Sequence, residues 1–345
     1  MHEPKHPTVR AAPSSRRQGD RTLRGASTPR QADATSAAHT APALATPQPS
    51  LQEPSPQHRA VIPTLRAQAY KSHIKPVWCP GCGHFGVLAA LTKTLAHLEL
   101  PPERVAVVSG IGCSSRLPAY LAVHGFHGLH GRALPLAAGL KSARPELTVI
   151  AAGGDGDGFS IGGNHFLHAC RRNQDLTYIV MDNEVYGMTK GQASPTTQPD
   201  WCNSRLTPQG TGMRRFQPAA IALAAGASFI ARGFAGDPAG LSRLLAAAIE
   251  HPGFAFVHVL SPCRTFRPEQ QDWKRLVHPC GLEPAHDIAR AAELIQRDDG
   301  MALGILFQQQ LPLYAAAVAP LTEPRPLQAA ALAGALAEIE AELCR

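Results

Sequence analysis

Two hydrophobic periods alternate along the middle of the chain. Short apolar runs bounded by Gly, Asp or Asn fall at 104–109, 147–152, 176–181, 228–232, 254–260 and 302–307, and each reads as a buried strand. Between them the apolar positions recur at three- and four-residue spacing. At 83–98, Val87, Leu88, Leu91, Leu95 and Leu98 share one helical face. Further helices are expected at 117–123, 134–143, around Phe166 to Cys170, at 217–225 and at 238–250. This alternating order predicts an α/β fold, a parallel sheet flanked by crossover helices, with ligands at the carboxyl ends of the strands. A loop from 190 to about 213, rich in Pro, Thr and Gly, interrupts the series, and so long a loop in a compact domain is usually functional. A last Ala/Leu/Glu run at 326–343 reads as a helix.

Two of the predicted strand ends carry oxygen ligands. The run 147–152 leads into Gly153-Gly154-Asp155-Gly156-Asp157-Gly158, and 176–181 leads into Asp182-Asn183-Glu184-Val185, which places Asp155 and Asn183 28 positions apart. Mg2+ takes oxygen ligands in an octahedron and usually shares them with substrate phosphates. Asp155 offers a carboxylate, Asn183 an amide oxygen and Val185 a backbone carbonyl. Gly154, Gly156 and Gly158 permit close backbone approach, and the following helix start presents N–H groups to an anion. A lone Gly-Asp-Gly is commonly just a strand–helix turn; Asn183 on the second strand end is what shifts the reading to a diphosphate-bound cation.

Charge changes the picture only at one end. The formal net charge is +7, but residues 1–72 hold ten Lys/Arg against four Asp/Glu, and the remaining 23 basic and 22 acidic residues nearly cancel. The body is therefore not a nucleic-acid surface. The segment 1–66 carries ten prolines among Ala, Ser, Thr, Gln and Arg and is expected to be disordered, since it cannot bury enough apolar surface to offset its ordering entropy. It lacks a secretory apolar core, although its Arg- and Ser-rich, acid-poor composition is also that of an organellar transit peptide. No apolar run approaches membrane-spanning length. The expected location is cytoplasmic, with domains at 1–66 (tail), 67–307 (α/β body) and 308–345 (helical tail).

Eight cysteines without a secretory signal favour metal or redox use over disulfides. Cys79 and Cys82 form a CxxC in a Pro/Gly turn. Cys113 ends one strand and Cys263 follows another, so the four can gather at one sheet edge. Four thiolates suit Zn2+ or an iron–sulfur cluster, and spacing alone does not separate them.

The Asp155–Asn183 spacing resembles the diphosphate/Mg motif of thiamine diphosphate enzymes. With Trp78-Cys-Pro-Gly-Cys-Gly83, Gly110-Ile-Gly-Cys-Ser-Ser-Arg116, Gly131-Arg-Ala-Leu-Pro135 and Tyr186-Gly-Met-Thr-Lys-Gly-Gln192, the chain resembles the beta subunits of 2-oxoacid:ferredoxin oxidoreductases, most nearly the 2-oxoglutarate type, over roughly 71–307. The resemblance implies a thiamine diphosphate-binding fold holding thiamine diphosphate, Mg2+ and one 4Fe–4S cluster on Cys79, Cys82, Cys113 and Cys263. It implies oxidative decarboxylation of a 2-oxoacid with CoA to acyl-CoA, CO2 and reduced ferredoxin, or the reverse. It places substrate recognition at Arg116, whose guanidinium matches a carboxylate bidentately. Gly154, Gly156, Asp157, Thr189 and His130 are candidate cofactor contacts, with Gln192, Thr196 and Arg132 as minor ones, Met188 as a pocket wall, and His127 in the same Gly loop as His130. The cofactor-activating Glu has no counterpart in this chain, and in the family the alpha subunit supplies it, so an alpha subunit and ferredoxin are the expected partners. A pyruvate-specific beta subunit, a non-oxidative thiamine diphosphate decarboxylase subunit and a zinc-stabilised scaffold are the alternatives.

Overall fold

The computed structural model describes residues 65–281 and 283–314. The expected disordered tail up to residue 64 and the expected helix at 326–343 lie outside the described residues. The described residues belong to one compact unit, Val61–Arg345.

Strands β1 (Val105–Ser109), β2 (His124–His127), β3 (Thr148–Gly154), β4 (Leu176–Asp182), β5 (Phe229–Phe234), β6 (Phe254–Leu260), β7 (His278–Pro279) and β8 (Ala302–Gln308) form one sheet in the order β2-β1-β3-β4-β6-β5-β8-β7. The strands β1, β3, β4, β5 and β6 are buried almost throughout, as their apolar runs require of a sheet covered on both faces. Alternate residues serve opposite layers. Val107, Ile150, Ile179 and Val257 meet α1 (His84–His97) and α5 (Pro238–Glu250) through Val87, Leu91, Leu95, Leu241 and Leu245. Val108, Val149, Tyr178 and Phe256 meet α2 (Ala133–Ala143), α3 (Gly163–Arg172) and α4 (Pro218–Ala224) through Leu134, Ala137, Phe166 and Ala222.

Local chemistry sets the helix ends. The Asp237 side chain accepts from the Gly240 N–H at 3.0 Å and Pro238 opens α5. α3 stops at Asn173 in the left-handed region. The first turn of α1 needs Gly86, where a Cβ would lie 1.9 Å from the Ala235 carbonyl oxygen; this pins the start of α1 to the end of β5.

Three elements differ from expectation. The helix expected at 117–123 is a 3-10 turn, Ser114–Tyr120, with Pro118 inside it, and Pro cannot donate to a longer helix. Residues 124–127, expected as loop, form β2, an exposed edge strand parallel to β1, with Val107 opposite Gly125. Its four exposed residues carry no apolar pattern to read. The sheet is also not wholly parallel: β8 runs antiparallel to β5. The expected boundary at 307/308 cuts β8, and the Asn173 side-chain amide donates to the carbonyls of Leu311 and Pro312, so the body continues past it. As expected, no helix or strand interrupts the chain between β4 and α4.

Candidate active site

The parallel register brings four strand ends together. Ser109 lies beside Ala152, Gly154 beside Met181 and Asp182 beside Leu260, so the segments starting at Gly110, Asp155, Asn183 and Ser261 leave one edge of the sheet side by side. Between them opens a cleft of about 240 Å3. It is lined by Asp155, Asp157, Asn183, Val185 and Thr189, all of them sequence candidates, and by Cys113 and His130. Gly154 and Gly156 are needed there. A Cβ on Gly154 would come within 2.9 Å of Ser114 Oγ, and one on Gly156 within 2.2 Å of the Tyr186 ring.

The two acids of the motif do different work. Asp155 is buried, with Oδ2 3.0 Å from Thr196 Oγ1, and the same hydroxyl lies 2.8 Å from Asp182 Oδ1. Burial, and then the neighbouring Asp182 carboxylate, hold the Asp155 carboxyl well above the usual carboxylate range. Burial pushes Asp182 up as well, but the hydrogen bond from His258, helped by those of the Glu184 N–H and Thr196, outweighs it, and Asp182 lies below its ordinary value. His258 Nε2 is 2.8 Å from Asp182 Oδ2, and its Nδ1 accepts from Arg232 Nε at 3.2 Å. A hydroxyl has one proton to give, so Thr196 can donate to one carboxylate and must accept from the other. Asp155 holding the proton and Asp182 the charge satisfies both contacts. An incoming cation on Asp155 would take the place of that proton.

Asp157 instead ties loops. Its Oδ1 accepts from the Ile111 and Gly131 N–H groups, at 2.9 and 2.8 Å, and stands 2.8 Å from His130 Nδ1. Among the described residues its Oδ2 is buried without a hydrogen-bond partner, against Gly110, where a Cβ would lie 2.0 Å away. Asn183 makes an Asx turn, accepting from the Val185 N–H at 3.2 Å, and its carbonyl accepts from Gln270 Nε2 at 2.9 Å.

The cysteine segments are bonded to one another. Trp78 Nε1 donates to the Cys113 carbonyl at 2.7 Å, and the Gly83 N–H donates to the Pro262 carbonyl at 3.0 Å. The Cys263 N–H donates to Gln270 Oε1 at 2.9 Å. Burial pushes the Cys82 thiol up to about 12, and the charges of Cys263, Cys113 and Cys79 add to that. A Cβ on Gly187 would sit 3.6 Å from Cys113 Sγ and 4.0 Å from Cys263 Sγ, so the missing side chain leaves space between two of the sulfurs. Cys170 is buried in the helical layer, Cys202 is exposed and Cys280 is half-buried beside the Ile305 carbonyl.

Other candidates fall outside the cleft or are otherwise engaged. Arg116 is exposed on the 3-10 turn, does not line the cleft, and reaches Tyr120 Oη through Nε at 3.4 Å. Thr189 lines the cleft but its hydroxyl bonds the Gln192 side chain. His127 Nδ1 lies 2.7 Å from the Ser115 carbonyl, a structural contact. His84, Asp182, Gln270 and His258 were not singled out in the sequence. His84 lines the cleft, is fully buried with Nδ1 2.7 Å from Ser261 Oγ, and burial lowers it to about 4. Its position two residues after Cys82 was the available signal. Among the described residues the cleft lining includes no Glu; Glu184, next to Asn183, is buried against Arg267, 3.0 Å away.

Residues 110–259 match the thiamine pyrophosphate enzyme C-terminal TPP binding domain. The chain is 40% identical over 256 residues to 2-oxoacid:ferredoxin oxidoreductase 2, subunit beta, of Aeropyrum pernix, covering 70% of this chain and 82% of that one. It is 46% identical over 227 residues to the 2-oxoglutarate synthase subunit KorB of Archaeoglobus fulgidus, covering 66% and 79%. Among solved structures it resembles a 2-oxoglutarate:ferredoxin oxidoreductase from Magnetococcus marinus with 2-oxoglutarate, coenzyme A and succinyl-CoA bound, at 40% identity and a TM-score of 0.74, covering 76% of this chain and 92% of that one. The chain belongs to the beta subunits of the 2-oxoacid:ferredoxin oxidoreductases.

Proposed function

We propose that this chain is the thiamine diphosphate and iron–sulfur half of a 2-oxoglutarate:ferredoxin oxidoreductase, completed by an alpha subunit and acting in the cytoplasm. The observation that carries this is the shared edge: Asp155, Asn183 and Cys113 line a single cleft, with Cys79, Cys82 and Cys263 beside it. The family of the chain, and the 2-oxoglutarate and CoA named for its solved relative, support the substrate. Among the described residues no helix is long and apolar enough to cross a membrane.

The residues fit the groups. Asp155, Asn183 and the Val185 carbonyl would hold Mg2+ on the diphosphate, where the glycines leave backbone room. Cys79, Cys82, Cys113 and Cys263 would hold a 4Fe–4S cluster. A single Zn2+ would draw four sulfurs to about 3.8 Å of one another, given its tetrahedral 2.3 Å bonds. The ferredoxin in the name of its relatives, a one-electron acceptor, supports the cluster over Zn2+. When bound, thiamine diphosphate supplies the electron sink for decarboxylation and the cluster accepts the electrons singly. The chain's own part is to position and to exclude water. Asp157 fixes His130 at the cleft, Gln270 couples the Cys263 loop to the Asn183 loop, and the walls of Met181 and Val185 keep the site apolar. Arg116, exposed three residues after Cys113 and held by one long bond, is the guanidinium proposed to meet the substrate carboxylate from the rim.

The test is anaerobic co-purification with the alpha subunit, then ferredoxin reduction across several 2-oxoacids. Iron, thiamine diphosphate and CoA-dependent reduction with 2-oxoglutarate are expected. A complex without iron, or one preferring another 2-oxoacid, would overturn the corresponding part of the reading.

A further inference from the structure

A second cavity opens beside the cysteine set. It is a groove of about 640 Å3, and its lining includes Cys82, Phe85, Arg264, Lys274 and Arg275. The cofactor cleft is lined by Cys113 and not by Cys82, and the groove by Cys82 and not by Cys113. The thiols therefore stand between two openings, one for the cofactor and one otherwise unassigned.

The groove has a charge and a texture. Arg264, Lys274 and Arg275 are exposed, and the one acid among its lining residues, Asp272, is paired with Arg275 at 3.1 Å. Beyond residue 72 the chain is almost neutral, so three cations around one thiol are a local feature and not a reflection of overall basicity. Phe85, 39% exposed, adds an aromatic contact within this cationic setting, the composition of a protein-binding patch. The cations are also held in place relative to the cysteines. Arg264 lies along Gly81 in the Cys79–Cys82 loop, where a Cβ would meet its Cγ at 3.2 Å. Lys274 and Arg275 lie on the short helix α6 (Trp273–Leu276), anchored by buried Trp273, and the turn before it carries Gln270, which accepts from the Cys263 N–H.

We propose that this groove is the docking surface for a small acidic one-electron carrier protein, with Arg264, Lys274 and Arg275 as its charge contacts and Cys82 the nearest thiol of the donor group. The proposal rests on the iron–sulfur reading of the four cysteines. A cluster held by these thiols would pass one electron to each docked carrier and return to its oxidised form, so two carriers would be reduced for each 2-oxoacid oxidised. Opposite charge steers such encounters and sets their salt dependence more than it sets final affinity.

The experiment compares the wild-type alpha–beta complex with Lys274→Glu/Arg275→Glu and with the milder Lys274→Gln/Arg275→Gln. It measures the Kd for an acidic ferredoxin by calorimetry at low and high salt, 2-oxoacid-dependent reduction of methyl viologen, iron per chain, and subunit association by size exclusion. The double Glu variant is expected to weaken ferredoxin binding by about tenfold or more at low salt, with a smaller loss in the Gln variant, both differences fading as salt screens the charges. Viologen reduction, iron and subunit association should be unchanged, because a small acceptor needs no docking surface. Unaltered ferredoxin affinity in the Glu variant would overturn the proposal. So would loss of the alpha subunit, which would assign the groove to subunit contact. A wild-type complex lacking iron would instead remove the cluster reading on which the groove depends.

Discussion

His130 Nδ1 stands 2.8 Å from Asp157 Oδ1, and this contact leaves Nε2 as the ring nitrogen available to the cleft. The same oxygen accepts from the Ile111 and Gly131 N–H groups, so one carboxylate sets both the histidine and the two loops beside it.

Asp157→Asn tests that arrangement. The amide oxygen can still accept, but its NH2 group would occupy the buried, partnerless site of Oδ2. A buried donor left unsatisfied costs about 1–3 kcal/mol. The variant is expected to lose stability by that amount in denaturant unfolding of the complex and to bind thiamine diphosphate more weakly. Stability equal to wild type would show that Asp157 does not tie the loops.

Thr196 links Asp155 to Asp182 through a single hydroxyl. Thr196→Val keeps the shape and removes the link, leaving Asp155 in a buried site with Ser194 and the Asn183 backbone as its remaining partners. Weakening of Mg2+-thiamine diphosphate binding by on the order of tenfold is expected, equal to about 1.4 kcal/mol, and Thr196→Ser should restore it. Equal affinity in the Val variant, by calorimetry, would remove Thr196 from the site.

The cysteine assignment separates residues of one type. Cys263→Ser should lower iron per chain and ferredoxin reduction, whereas exposed Cys202→Ser should change neither. Gly187→Ala adds a methyl group between Cys113 and Cys263 and should also lower iron. Identical iron content in the Cys263 and Cys202 variants would mean that the fourth ligand is elsewhere.

Much of this was legible in the sequence, for a physical reason. Buried parallel strands must be continuous apolar runs, and their ends must be marked by Gly, Asp or Asn, so Asp155, Asn183 and Cys113 could be placed on strand ends from spacing alone. What stayed hidden depends on contacts far apart in the chain. Asp182 only followed the apolar run 176–181, and its partner His258 lies 76 positions away in β6. Gln270 is an ordinary polar residue in a Pro/Glu/Gln turn until the fold sets it between Cys263 and Asn183. β2 has four exposed residues and so no hydrophobic signature. Asp157, a candidate cofactor contact, does line the cleft, but its bonds to the Ile111 and Gly131 N–H groups and to His130 join loops that are far apart in sequence.

His84 makes acid stability testable. Burial lowers it to about 4 from an ordinary value near 6.5, so between these pH values the unfolded chain binds the extra proton. Stability from this group is therefore complete above about pH 6.5 and is lost as pH falls towards about 4, a change on the order of 3 kcal/mol. His84→Asn keeps a polar atom near Ser261 and removes the titration, so its unfolding free energy should vary less with pH over that window. An unchanged slope would assign the acid sensitivity to other groups.

The division of labour between subunits follows from what lines the cleft. It contains a carboxylate and an amide proposed for the cation and a thiol proposed for the cluster, but among the described residues that line it there is no Glu. Glu184, the nearest in sequence, is raised to about 7 by burial and by Asp182, while its Oε2 is held by Arg267 at 3.0 Å, and so it is committed within this chain. Under the proposed function, the carboxylate that activates the cofactor's aminopyrimidine would come from the alpha subunit. The isolated chain should accordingly bind iron yet turn over almost no 2-oxoacid, and adding the alpha subunit should restore decarboxylation and electron transfer together. Within that complex Arg116→Ala should raise KM for the 2-oxoacid about ten- to a hundredfold, the 1.5–3 kcal/mol of a charged hydrogen bond, with thiamine diphosphate affinity unchanged. Full 2-oxoacid oxidation by the isolated chain would refute the half-site, and an unchanged KM would place carboxylate recognition on another residue than Arg116.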